Sequence, residues 1–219
     1  GPGKASRAMA VVHLAMFDAL NGITPTYQSY LAHAPPTRGV SAKAAVAQAA
    51  HDALTALYPS QIAGFDSALA ADLSQVLDST ERNGGISFGR AVAADILSDR
   101  QGDGSELSTT ETESIYPVTI AIGKWRPEPA RQPALGAYWS MVRPFALASA
   151  SQFRALPPPA VTSEEYADAY DEVKRLGGDG ISTPTERTEE QTQIGIFWAY
   201  DGTPSLCAPP RLYNQIAVK

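Results

Sequence analysis

The sequence predicts an all-α fold, a helical bundle of about six to seven helices interrupted by one long irregular, proline-rich connection. Three observations carry that expectation. Apolar residues recur at three- and four-residue steps in several separate segments. Those segments are bracketed by hydroxyl or acidic caps at the start and by Pro or Gly at the end. Between residues 102 and 160 the pattern dissolves into prolines, glycines and single aromatics.

The first helix spans Ala5 to Leu20, with Met9, Val12, Met16 and Leu20 on one stripe and Val11, Leu14 and Ala15 covering much of the rest. A helix apolar nearly all round belongs inside a fold. The second follows Ser41 as N-cap and runs to Tyr58, where Pro59 stops it; its many alanines favour helix and permit close approach by a neighbour. The third, after Ser60, places Ile62, Phe65, Leu69, Leu73 and Val76 on one face, and a fourth runs from Ile86 to Arg100 with Phe88, Val92 and Ile96 together and Gly102 just beyond. After the irregular segment, Thr162-Ser163-Glu164-Glu165 has capping-box spacing and opens a helix carrying Tyr166, Tyr170 and Val173 up to Gly177-Gly178. Thr188 with Gln191 repeats that logic for a helix through Ile194, Phe197 and Trp198, closed by Asp201-Gly202. A last helix starts at Pro209-Pro210, carries Leu212 and Ile216 for packing on the earlier bundle, and has no stop signal before Lys219. The chain therefore reads as ending inside a helix, and its start at Gly1-Pro2-Gly3 reads as processed or trimmed.

Composition narrows the function classes. A chain of 219 residues can bury one sizeable core, so a single helical domain over 1-219 is the default. With 17 Lys and Arg against 23 Asp and Glu, and no basic run, phosphate-backbone attraction has little to act on and nucleic acid is excluded as an expected partner. Cys207 is the one cysteine, which rules out an internal disulfide and a Cys-based zinc site. No apolar stretch is long enough to cross a bilayer.

Read one by one, the residues assemble no active site. Metal binding on a helix asks for His, Asp or Glu at i, i+3 or i+4, and neither His13, with Asp18 five residues on, nor His51, adjoining Asp52, meets that spacing. His33 sits in a loop with no acid nearby in sequence. The plain reading is three core or surface histidines. Asp18 lies in the last turn of an apolar helix, where the helix dipole disfavours negative charge, so it should have a tertiary partner, an arginine or backbone N–H groups, in a structural role. Arg7, eleven residues away on the same helix, is about 16 Å distant and cannot be that partner. Gly85-Ile86-Ser87-Phe88-Gly89 matches a nucleophile elbow in letters, but the residues before it read as helix, not as the buried strand an elbow needs.

Several segments in order nonetheless resemble the vanadium-dependent haloperoxidases, which share a helical fold and oxyanion site with the acid phosphatases of the phosphatidic-acid-phosphatase type. The opening helix from Ala5 to Ala19, with Arg7, His13 and Asp18, is similar to that family's Arg…Ala…His-x-Ala-x-x-Asp-Ala helix. Further likenesses are Asp99-Arg100 with Asp103-Gly104, Gly123-Lys124-Trp125-Arg126-Pro127, Pro144-Phe145, Pro157-Pro158-Pro159, Ser163-Glu164-Glu165-Tyr166, Glu172-Val173-Lys174 with Leu176-Gly177, Arg187-Thr188 with Gln191, and Phe197-Trp198.

The resemblance implies an enzyme that oxidises halide with peroxide, the phosphatase reaction and a non-catalytic binding or oligomerisation module being the alternatives. Vanadate, held by one histidine and surrounded by cationic donors, would be the cofactor. The family holds it with a Lys-x6-Arg-Pro run, a Ser-Gly-His segment and a later Arg-x5-His, and none of these occurs here: Thr119 and Gly136 stand where lysines would precede Arg126-Pro127 and Arg143-Pro144, and His51 is the last histidine. This chain is accordingly expected to be the N-terminal half of a larger two-bundle enzyme, with no catalytic, cofactor or metal residue of its own. Vanadate is expected only together with a C-terminal half, which would be its partner, covalent or as a cleaved fragment; a homo-oligomer is the other association. Phe145 and Trp198 are candidates for a channel wall, against a packing role. Localisation stays open, with a secreted or periplasmic setting favoured by the resemblance alone.

Overall fold

The computed structural model describes residues 2–127 and 133–198, with Ile216 and Val218. Among the described residues there are seven α-helices and no strand: α1 Pro2–Ile23, α2 Ala42–Leu57, α3 Ile62–Ser74, α4 Ser79–Asp99, α5 Thr110–Ser114, α6 Glu164–Leu176 and α7 Glu189–Trp198. The expected all-α fold is observed. The chain divides into two compact units, one formed by Gly3–Asp103 and the other by Gly104–Lys219 with the first two residues.

The first unit is organised by small residues. Ser41 caps α2, its hydroxyl accepting from the Ala44 N–H, and Tyr58 closes the helix before Pro59. Ala44, Ala45, Ala49 and Ala53 are fully buried, opposite Gly85 and Gly89 on α4. A Cβ on Gly85 would lie 2.5 Å from the Ser41 carbonyl oxygen, and one on Gly89 would lie 2.2 Å from that of Ala45. The alanines of α2 thus bring a backbone into a groove that only glycine leaves open. Below it, Phe88, Val92 and Ile96 are buried as their spacing predicts, each of the last two contributing about 1.5–3 kcal/mol by leaving water. The letters Gly-x-Ser-x-Gly are therefore a packing pattern inside a continuous helix.

Two sequence expectations are corrected here. α4 begins at Ser79, a full two turns before Ile86, because Asp78 caps it through the N–H groups of Thr80 and Glu81; Gly84 and Gly85 hide that start by lowering helix propensity. On α1 the buried stripe is Ala8, Val11, Val12, Ala15, Asp18 and Ala19, whereas Leu20 is exposed and Met9 and Met16 are half-buried. Only one face of α1 is interior, and its small side chains, not its long ones, make that face. On α3, Phe65, Leu69 and Leu73 do form the inward stripe, but they are half-buried and Ile62 is exposed; Val76, also half-buried, lies past the helix end at Ser74.

The second unit rests on short local devices. Gly104 has a left-handed φ of 93°, and a Cβ there would meet the Met141 carbonyl oxygen at 2.6 Å. Glu113, buried at the end of α5, accepts from the Ser108 hydroxyl and from the Gly136 N–H at 2.9 Å, which fastens the residues after 133 onto α5. Tyr116 packs edge-on against Trp125 and Tyr138. Most of 102–160 is irregular as expected; α5, five residues long, is the helix that its pattern conceals. Ser163, not Thr162, caps α6, accepting from the Tyr166 N–H, and no carboxylate reaches back because Tyr166 holds the third helical position. Tyr170 and Val173 are exposed on that helix. Thr188 and Gln191 do form the reciprocal capping box of α7, with N–H to side-chain oxygen distances of 2.9 and 3.2 Å. The helix expected from Pro209, with Leu212, and the stop at Asp201-Gly202 lie outside the described residues, apart from Ile216 and Val218, both exposed. No described helix is long and apolar enough to cross a membrane.

Candidate functional site

The polar chemistry of the first unit gathers in three clusters, and each joins residues far apart in sequence. Arg7 leaves α1 toward the end of α4: its Nε donates to Asp103 Oδ2 at 2.8 Å and its Nη2 to the Arg100 carbonyl at 2.9 Å. Arg100 Nε and Nη2 reach the same Oδ2 at 3.0 and 2.8 Å, and the Asp103 side chain is wholly buried. One carboxylate thus separates two guanidinium groups that would otherwise repel each other in a desolvated site.

Asp18 supplies the second cluster and has the partner its position demands. Its side chain is fully buried; Oδ1 accepts from the Tyr30 N–H at 2.8 Å and Oδ2 from the Leu31 N–H at 3.0 Å. His33 Nε2 stands 2.9 Å from Oδ2, and its Nδ1 stands 2.8 Å from Asp95 on α4. Three residues on, Asn21 holds the same loop through Thr26, Tyr27 and Ser29. The loop 24–33 is folded back on α1 by two side chains, so the role of Asp18 is architectural.

The third cluster sits between α2 and α3. His51 Nδ1 is 2.8 Å from Asp52 Oδ1 and Nε2 is 2.8 Å from Asp66 Oδ1. Asp52 also accepts from Gln48 Nε2 at 2.7 Å and faces Arg90 on α4 at 3.7 Å. Burial works against the charged ring, but the hydrogen bonds and attraction of Asp66 and Asp52 outweigh it and raise the His51 pKa above 6.5. His51 borders an apolar cleft of about 470 Å³ whose walls include Met16 and Leu20 of α1, Val46 and Leu54 of α2, and Phe65 and Leu69 of α3.

These contacts bring His33 and His51 acids that sequence spacing does not point to. Helix spacing rules see only one helix at a time, whereas Asp95 is 62 residues from His33. The His51–Asp66 pair was open to detection, because folding α3 back on α2 about Pro59 places the two positions level. His13 is exposed, with Nδ1 on the Met9 carbonyl at 2.7 Å. Phe145 is half-buried and Trp198 is 60% exposed at the end of α7, edge-on to Phe197.

These contacts tie the helices and loops of the first unit together. An oxyanion such as vanadate asks for a free imidazole nitrogen amid converging cations. Both ring nitrogens of His33 and of His51 already face carboxylates, and Arg7 and Arg100 are turned onto Asp103. Among the described residues no group of three or more His, Cys, Asp or Glu is arranged to hold a metal ion.

No family profile matches the chain. Vanadium chloroperoxidase of Curvularia inaequalis is 30% identical over 263 residues, an alignment that takes in 99% of this chain and 43% of that protein. The chain spans less than half the length of the curated relative it matches.

Proposed function

We infer that this chain belongs to the vanadium-dependent haloperoxidase family and is the N-terminal helical scaffold of a peroxide-dependent, halide-oxidising enzyme whose oxyanion-binding residues lie outside these 219 residues. The observation that carries the reading is the likeness to vanadium chloroperoxidase along 99% of the chain. The segments that resemble the family support it from a second side, because they are the ones with structural work in this fold. Arg7, Asp18, Arg100 and Asp103 form buried polar hubs, and Ser163, Thr188 and Gln191 cap helices.

Halide oxidation is favoured over phosphomonoester hydrolysis because the matching relative is a chloroperoxidase. On this reading the chain contributes shape and rigidity, and a second segment contributes the cationic cradle and the histidine. The test has two arms. The gene that encodes the chain should also encode a Lys-x6-Arg-Pro run followed by Ser-Gly-His, in the same reading frame or as a separate product. Monochlorodimedone halogenation with vanadate, peroxide and halide should appear when that segment is present with this chain and vanish when it is withheld. A gene with no such segment would leave the non-catalytic module standing in its place, and p-nitrophenyl phosphate turnover without halogenation would favour the phosphatase.

A further inference from the structure

We propose that His51 is a pH-operated latch: with both ring nitrogens protonated it ties α3 to α2 across the apolar cleft, and on losing a proton it releases Asp66, freeing α3 and uncovering the cleft wall. The inference rests on geometry within the first unit and is independent of the family assignment.

The two helices run antiparallel and are joined by two polar ties. His51 on α2 meets Asp66 near the start of α3 at 2.8 Å, and Lys43 near the start of α2 donates to Gln75 at the end of α3. Eight residues separate the ties along α2, about 12 Å at the helical rise, and the cleft occupies the interval between them. Beyond these ties α3 is held by its half-buried apolar stripe and by the short Pro59–Gln61 connection to α2, and none of its residues is fully buried. A helix with only a half-buried stripe is the element that opens first when a tie is lost.

The stoichiometry of the ring makes the first tie conditional. Carboxylates accept and cannot donate at neutral pH, so two carboxylate contacts need two N–H groups, which only the imidazolium has. A neutral ring keeps one. Asp52 is one residue away on the same helix, is 23% exposed, and is held by Gln48 and faced by Arg90 of α4. Asp66 is 60% exposed and can turn to water. The bond that survives is therefore the one to Asp52. The remaining charged groups lining the cleft are Lys43, which makes the other tie, and Asp72 of α3, and α1 lines it with Met16 and Leu20, which carry no charge. The Lys43–Gln75 tie does not involve the ring, so the end of α3 near Gln75 stays held when Asp66 is released.

Hydrogen exchange of the full 219-residue chain from about pH 5.5 to 9, corrected for the intrinsic base-catalysed rate, tests this. The His51 ring titration is followed by NMR in parallel. Exchange in residues 63–69 should rise about two- to fivefold relative to α2 as the ring loses its proton, the range expected for one part-exposed ion pair. The rise should fade toward residue 74. His51→Gln, which cannot titrate, should show no step. A flat wild-type profile, a step that survives in His51→Gln, or a rise equal along α2 and α3 would overturn the proposal. Should His51→Gln fail to fold, the wild-type gradient and its coincidence with the ring midpoint decide the matter alone.

Discussion

Substituting Gly89→Ala should destabilise the protein although alanine is the better helix former. In an open helix the change gains about 1 kcal/mol. Here the new Cβ would stand 2.2 Å from the Ala45 carbonyl oxygen and 3.0 Å from its carbonyl carbon. Carbon to oxygen contacts settle at about 3.3 Å or beyond, so α4 must retreat from α2 by roughly 1 Å. The obstacle is backbone and cannot rotate aside. A gap of that size forfeits up to about half of the dispersion well at each opened contact, and overpacking of this kind costs about 1–3 kcal/mol or more. The contacts at risk are those of the buried alanine face of α2 and of Phe88, Val92 and Ile96. Against the propensity gain, a net loss of about 1–2 kcal/mol remains with the obstacle being rigid backbone, which lowers Tm by about 2–8 °C in a chain of this size. Gly64→Ala is the control, since nothing lies within 4 Å of a Cβ there; it should leave Tm unchanged or raise it by about 1–3 °C. Thermal unfolding by circular dichroism reads both. A Gly89→Ala protein as stable as wild type would refute the close α2–α4 packing.

Further outcomes follow from the polar clusters and the surface. Asp18→Ala should cost about 3–5 kcal/mol, because two loop N–H groups and His33 lose a buried acceptor, and denaturant unfolding with a lower midpoint checks it. Asp103→Asn should destabilise more than Arg7→Met, since the first leaves two guanidinium groups facing each other and the second leaves Asp103 still paired with Arg100. Stability from His51 runs with its raised pKa: it is fully present below the unfolded value of 6.5 and is lost as pH rises through the folded value, so the wild-type advantage over His51→Gln should shrink on going alkaline. Ile120, Ile122, Phe153, Leu156 and Ile181 are each at least 78% exposed. The isolated chain should self-associate or bind a hydrophobic dye, and a clean, dye-negative monomer by light scattering would count against a partner.

How much of this was legible in the sequence depended on the range of the interactions. Ser41 with Pro59, and Thr188 with Gln191, act within four residues or stop a helix locally, so capping and breaker rules placed α2 and α7 correctly. Asp18 was recognised as needing a partner because a buried acid at a helix C-terminus is costly wherever it occurs. Which groups met it was not recoverable, because Tyr30, Leu31 and His33 arrive through a loop path that no spacing rule describes. The buried stripe on α1 departs from the hydrophobic pattern for a related reason. Hydrophobicity favours Met9, Met16 and Leu20, but the tight approach of neighbouring elements selects Ala8, Ala15 and Ala19. The same preference for small residues disguised the first two turns of α4 behind Gly84 and Gly85, whose purpose is visible only against Val40 and Ser41.

Vanadate titration of the 219-residue chain, followed by vanadium NMR and by calorimetry, tests the central claim most directly. The described histidines of the first unit spend both ring nitrogens on carboxylates, except His13, and the paired arginines are committed to Asp103. A scaffold of that kind should leave the free vanadate signal unshifted and release no heat beyond dilution. Stoichiometric binding with micromolar affinity would contradict the account, because it would place the oxyanion cradle inside this chain.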